Sequence, residues 1–236
     1  MKFSDKGLAF TIAFAAIGLG AHLIPLSQIL GAADSNFTAF DLMSPIPTAF
    51  LGPIAGIAAI LISKLTALMA TGKAVDLFTF ARVLPPIAAG IFFYYYNKKS
   101  GLMPKVAHLL IPIAAMALFM LHPAIFGTVA MAYPLYWLIP IAVAFLPNFT
   151  IFRALGATFT QHAVGAIIFL YTIPAIQEPN FWIGLIPIVA LERFFFALGI
   201  TGSYKLVALA YDKFNFVLRA GANAPNALPL KKDEEE

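Results

Sequence analysis

The stretch TIFRALGATFTQHAVGAIIFLYTIP, Thr150–Pro174, decides how the whole chain is read. It exceeds the roughly 20 apolar residues that a helix needs to cross the hydrocarbon of a bilayer. Its one formal charge, Arg153, sits near the start, and two polar side chains, Gln161 and His162, stand side by side in the middle. Outward from it, comparable apolar runs occupy residues 7–30, 45–71, 77–97, 103–121, 124–147 and 181–210. His122-Pro123, Tyr133-Pro134 and Pro140 interrupt the fourth and fifth runs in chain order, so one helix plus a re-entrant or tilted piece is the alternative there. The expectation is an all-α fold, a polytopic transmembrane helix bundle of six or seven spans. It forms a single domain over residues 1–222, and 223–236 is expected to be a disordered, charged cytoplasmic tail.

Composition agrees with a multi-pass protein of the cell membrane. The 236 residues are 61% hydrophobic and 11% charged, with mean hydropathy +0.88, whereas soluble domains carry about a quarter charged residues. The chain has no cysteine, which excludes disulfides, thiolate metal sites and cysteine nucleophiles. Its net charge of +4 sits largely in short links between apolar runs and reads as a topology signal, not as a nucleic-acid surface. With seven spans, Lys98, Lys99, Lys105, Arg153, Lys213 and Arg219 fall on one side and Lys2, Lys6 and Lys73 on the other. That division places the C-terminus in the cytoplasm and the N-terminus outside; six spans divide the charges less cleanly. MKFSDKGLAF begins like a signal peptide, but the run 7–30 is longer than the roughly 7–15 residues of such a segment and is read as a retained first span.

Catalytic signatures are missing. There is no GxxxxGK[ST] loop for ATP, no HExxH, no GxSxG and no close pair of carboxylates, so the chain is not expected to be an enzyme or to hydrolyse ATP by itself. His22, His108, His122 and His162 lie on different segments, and no metal or other cofactor is expected. The informative residues are polar ones inside apolar runs, since an ionisable group at a helix centre costs roughly 2.5–3.5 kcal/mol on insertion. These are Lys64, Arg82, His162 and the pair Glu192-Arg193. Neighbours on a helix point about 100° apart, so one of that pair is expected to meet another helix, with Arg82 or Lys64 neutralising Glu192. A structural ion pair and a ligand contact both remain open for these groups, and Lys64 and Arg82 are also near enough to their span ends to snorkel. The loop GAADSNFTAFDLMSP, Gly31–Pro45, is either a cover over a cavity mouth or a polar connector.

In the first span Ala9, Ala13, Ala16 and Gly20 form one stripe of small residues, suited either to packing within this chain or to docking on another helix. Gly52, Gly56, Gly156 and Gly165 suggest further tight helix contacts. The alanine stripe AFTIAFAAIGLGA, followed by SPIPTAFLGPIAGIAAILISKL with Pro47, Phe50, Gly52 and Gly56, resembles the substrate-binding S components of energy-coupling factor transporters, as do ALGATFTQHAVGAIIFLYT and PIVALERFFFALGI. That resemblance implies a membrane vessel that captures a small vitamin-like molecule from outside. It also implies partners: a transmembrane T subunit, on which the stripe Ala9, Ala13, Ala16 and Gly20 docks, and cytosolic ATPase subunits that power release. The substrate-binding residues it points to, taken with their polarity, are Asn36, Asp41, Arg82, Gln161, His162 and Glu192. Two departures stand out: apolar sequence at 122–147 beyond the family's six helices, and no vitamin-specific signature. Other readings are a non-catalytic membrane scaffold or assembly subunit and an enzyme modifying lipid or prenyl substrates, with His162 or Glu192 as base. A retinal protein, with Lys205 in the last span, fits least.

Overall fold

Pro25 stops the first helix because proline fixes φ and cannot donate the next helical hydrogen bond, and the chain turns there into a strand. A computed structural model describes residues 5–31, 36–72, 77–96, 98 and 101–222. Lys2, Lys73, Lys99 and the tail 223–236, which figured in the sequence reading, lie outside them. Helix α1 spans Asp5–His22, shorter than the expected run 7–30. Strand β1, Pro25–Gln28, then pairs antiparallel with β2, Asn36–Thr38. A 3-10 turn, Ala39–Leu42, leads to the short helix α2, Ile46–Leu51.

Helix α3, Pro53–Thr71, follows a break at Gly52, whose φ of 81° and following proline separate it from α2. The expected single run 45–71 is therefore two helices. Gly56 lets them touch: a Cβ there would stand 2.4 Å from the Thr48 Cα. The rest of the bundle comprises α4, Leu77–Ala81, and α5, Leu84–Tyr95, then α6, Leu102–Lys105, which runs through a π-helical turn at Val106–Leu110 into α7, Ile111–Met120. Pro112 explains that widened turn, since its ring crowds the carbonyl four residues back. A 3-10 stretch, Val129–Trp137, containing Pro134, continues into α8, Leu138–Val143. Helix α9 is Thr150–Thr172 and α10 is Pro179–Ala222, the latter about 66 Å long at 1.5 Å per residue.

Four of these helices are long and apolar enough to cross a membrane: Pro53–Thr71, Leu102–Met120, Thr150–Thr172 and Pro179–Lys213. Gly7–His22 and Val129–Val143 are shorter apolar segments. The protein is an α-helical membrane protein by length and composition.

The direction of the early segments overturns one expectation. Gly18 of α1 abuts Ser63 of α3, and His22 shares a cavity wall with Thr71, so α1 and α3 run parallel. The chain must therefore return between them, and it does so through residues 36–51. Phe40 stacks on His22 at 4.1 Å, while Phe50 lies 5.5 Å from Phe10, nearer the start of α1. This return is buried: Phe40, Ile46, Ser44 and Thr48 are inaccessible, and Asp41 is 6% exposed. Irregular backbone at membrane depth is tolerated where protein encloses it. The ring of Tyr211 in α10 sits 6.2 Å from Phe10 and 5.4 Å from Phe50. Thus α1 starts at the end of the bundle where α10 arrives, and the two do not face opposite sides as the seven-span charge count expected. Counting apolar runs missed the return because its first part, with Asn36, Asp41 and Ser44, reads as a polar link, and its second part, 45–51, reads as the start of the next run.

Candidate functional site

Five separate segments send polar side chains to one cavity near the end of the bundle where α1 finishes. Asn36 comes from β2, Asp41 from the 3-10 turn, Arg82 from the link between α4 and α5, Gln161 and His162 from α9, and Glu192 from α10; all six line the same space. The cavity encloses about 940 Å³ including its open mouth. Lys64 of α3, for which the sequence reading left an ion pair, a ligand contact and snorkelling open and which was not among the six expected substrate-binding residues, joins them. Phe169, Trp182 and Pro85 supply apolar wall, the mixture of apolar lining and a few placed polar groups usual for small-molecule sites.

Asp41 sits at the junction of the return segment and α9. Its Oδ2 accepts from the Thr38 amide at 2.8 Å, closing the 3-10 turn, and its Oδ1 accepts from Gln161 Nε2 at 2.8 Å. A carboxylate accepts only, so this contact orients the Gln161 amide. Its Oε1 is buried with no partner among the described residues. His162 Nε2 lies 2.8 Å from the Tyr133 hydroxyl, and Tyr133 is wholly buried among Phe119, Trp137 and Trp182. Gly165, one turn along α9, lines the cavity; a Cβ there would make ordinary contact with Pro85 at 3.8 Å, so this glycine is not the tight helix contact expected. Gly156 does mark one, against the Phe92 ring.

Glu192 and Arg193 depart from the sequence reading. Helical geometry argued that they would look to different partners; instead Arg193 Nη2 donates to Glu192 Oε2 at 2.7 Å, because both side chains are long enough to fold toward each other. Glu192 also accepts from Ser27 of β1 at 2.5 Å, which ties the hairpin to α10. Arg193 is inaccessible and lies between the rings of Phe37, 4.5 Å away, and Phe196, 4.3 Å away. Gly31–Pro45 is thus neither a simple cover nor a connector: its described part forms the hairpin strand and the interior return. Lys64 and Arg82 stay half-buried on the cavity wall, over the rings of Phe40 and Phe169 at 5.1 and 5.8 Å.

The small-residue stripe faces outward. Ala9, Ala13, Ala16 and Gly20 are all exposed, while the opposite face of α1 is the packed one, with Thr11, Phe14, Gly18 and Ala21 buried. Internal packing therefore does not account for the stripe. Ser27, Tyr133 and Trp182 were missed by sequence reasoning; Ser27 carries no signal at all, and the aromatic pair is indistinguishable from core before its partners are known. Among the described residues no three His, Asp or Glu side chains gather closely enough to hold a metal ion. Compared with protein-family models, curated proteins and solved structures, the chain matches none.

Proposed function

We propose that this protein is a membrane-embedded substrate-capture subunit for uptake of a small vitamin-like molecule, comparable to the S component of an energy-coupling factor transporter. It binds cargo without transforming it, and separate subunits supply the energy. The observation that carries this reading is the convergence of Asn36, Asp41, Arg82, Gln161, His162 and Glu192 on one cavity under a hairpin. Isolated polar residues in apolar helices are more economically placed as scattered helix-to-helix bonds; their gathering around open space favours a ligand.

In this reading the chain makes seven apolar crossings, with Val129–Val143 one beyond the six of the family it resembles, plus the interior return at 36–51. Lys98, Lys105, Arg153, Lys205 and Lys213 follow or flank groups packed at the end where α1 begins: Arg153 donates to the Phe93 carbonyl, and Tyr204 touches Phe93. The excess of positive charge makes that end cytoplasmic. The cavity then opens to the outside of the cell membrane, as capture requires. The exposed stripe Ala9, Ala13, Ala16 and Gly20 is the docking face for a transmembrane T subunit, which with cytosolic ATPase subunits would drive release.

The test is co-purification from the native membrane. A T subunit and ATPases should accompany the chain, and Ala13→Leu should abolish their association while the isolated protein keeps its Tm. Absence of any ATPase partner, together with unchanged behaviour of Ala13→Leu, sinks the transport reading. A scaffold would then retain partners without saturable small-ligand binding, and an enzyme would show turnover lost in His162→Ala.

A further inference from the structure

We infer that the cavity recognises an uncharged molecule carrying a carbonyl and an N–H on a flat ring, as amides, lactams and ureides do, with His162 donating to the carbonyl and Gln161 accepting from the N–H. This rests on the capture reading and narrows it to a ligand class. His162 supplies the donor through its tautomer. Its Nε2 lies 2.8 Å from the Tyr133 hydroxyl, and which of the two donates depends on where the ring proton sits. Tyr133 is inaccessible, and among the described residues its hydroxyl bonds to nothing but His162. Were Nε2 protonated, the hydroxyl hydrogen would turn into the rings of Phe119, Trp137 and Trp182, acceptors far weaker than a ring nitrogen. A buried donor is costly when unmet, so Tyr133 donates to Nε2 and the imidazole keeps its proton on Nδ1. An imidazolium would carry the same Nδ1 proton. His162 is only partly buried, lines the cavity and has no described partner at Nδ1, so it presents an N–H donor to the occupant.

Gln161, the preceding residue of α9 on the same cavity, offers the opposite group. It is 4% exposed, and Asp41, which only accepts, holds its Nε2. The end left over is Oε1, buried and unpartnered among the described residues. A buried acceptor is costly until something donates to it. One donor and one acceptor from consecutive residues complement a molecule that both accepts and donates. A carboxylate only accepts and an ammonium only donates, so each leaves one of the two unmet. Asp41 takes its hydrogen bonds from the neutral Thr38 and Gln161, and its negative charge beside the Gln161 amide disfavours an anion there. The rings of Trp182 and Phe169 and the faces of Pro85 and Pro86 suit a planar body.

The full chain, labelled with nitrogen-15 histidine and purified in uncharged maltoside micelles, is titrated with 2-pyridone, N-methyl-2-pyridone and nicotinate. The readout is the pair of His162 ring nitrogen signals, assigned by their loss in His162→Asn. Before any probe is added, Nδ1 should be protonated and Nε2 a hydrogen-bonded acceptor; a protonated Nε2 with a bare Nδ1 overturns the inference and leaves capture intact. 2-Pyridone should then saturate the His162 shift about tenfold more tightly than N-methyl-2-pyridone, which keeps the carbonyl but lacks the donor. Gln161→Met should abolish that preference. Equal binding of the two pyridones to the unaltered protein overturns the inference, and so does tighter binding of nicotinate, which would make the site an anion site. If none of the three shifts His162, this inference falls, while the capture reading still answers to its own co-purification test.

Discussion

Replacing Arg193 by methionine tests the most concentrated interaction in the protein. The guanidinium is fully buried, ion-paired to Glu192 at 2.7 Å, within 3.4 Å of the Thr158 hydroxyl and flanked by Phe37 and Phe196. Methionine fills much of the volume but leaves Glu192 with Ser27 as its remaining described partner. Removing one member of a buried pair costs about 3–5 kcal/mol, because the other charge stays buried and uncompensated. At about 2–4 °C per kcal/mol for a chain of this size, Tm should fall by about 6–20 °C in detergent, followed by tryptophan fluorescence. The double variant Glu192→Gln with Arg193→Met removes the stranded charge and should recover a substantial part of the loss. If the double variant is as unstable as the sum of the singles, the two side chains do not act as a pair and the account of this site is wrong.

Other outcomes follow from single contacts. Asp41→Leu strands the Gln161 amide and the Thr38 N–H, each a buried donor worth about 1–3 kcal/mol when unmet, and should raise hydrogen exchange at 36–42 more than elsewhere. Tyr133→Phe removes the hydroxyl from His162 and should cost about 1 kcal/mol, with a change in the His162 ring signals confirming the lost contact. Gly56→Ala drives a Cβ into the Thr48 backbone and should destabilise by about 1–3 kcal/mol, whereas Gly202→Ala, exposed with open space around it, should be neutral or stabilising by up to about 1 kcal/mol. Equal Tm values for these two variants would contradict the close approach of α2 and α3.

Arg82, Gln161, His162 and Glu192 were legible because each interrupts an apolar run at a cost that demands a reason, whereas Asn36 and Asp41 stood out only as polar residues of the link 31–45. What each touches was not legible. Gln161 and Asp41 are 120 residues apart, Ser27 and Glu192 are 165 apart, and nothing local to either sequence position encodes the meeting. Lys64 shows the opposite error: its signal was present in the middle of an apolar run, but a long lysine reaches a span end as easily as a cavity, and length alone does not choose.

By itself, then, the amino-acid sequence determined a helical membrane protein, with most of the helical segments placed to within a few residues, because burying backbone in hydrocarbon demands long apolar helices. It also determined that the stripe on α1 is uniformly small. Only the tertiary structure decided that this stripe faces outward and that Arg193 pairs with its own neighbour. The tertiary structure also showed that residues 36–51 cross back through the interior. The first half of that return is too polar to read as part of a span, surrounding helices shield its backbone, and with it α1 begins at the end of the bundle where α10 arrives.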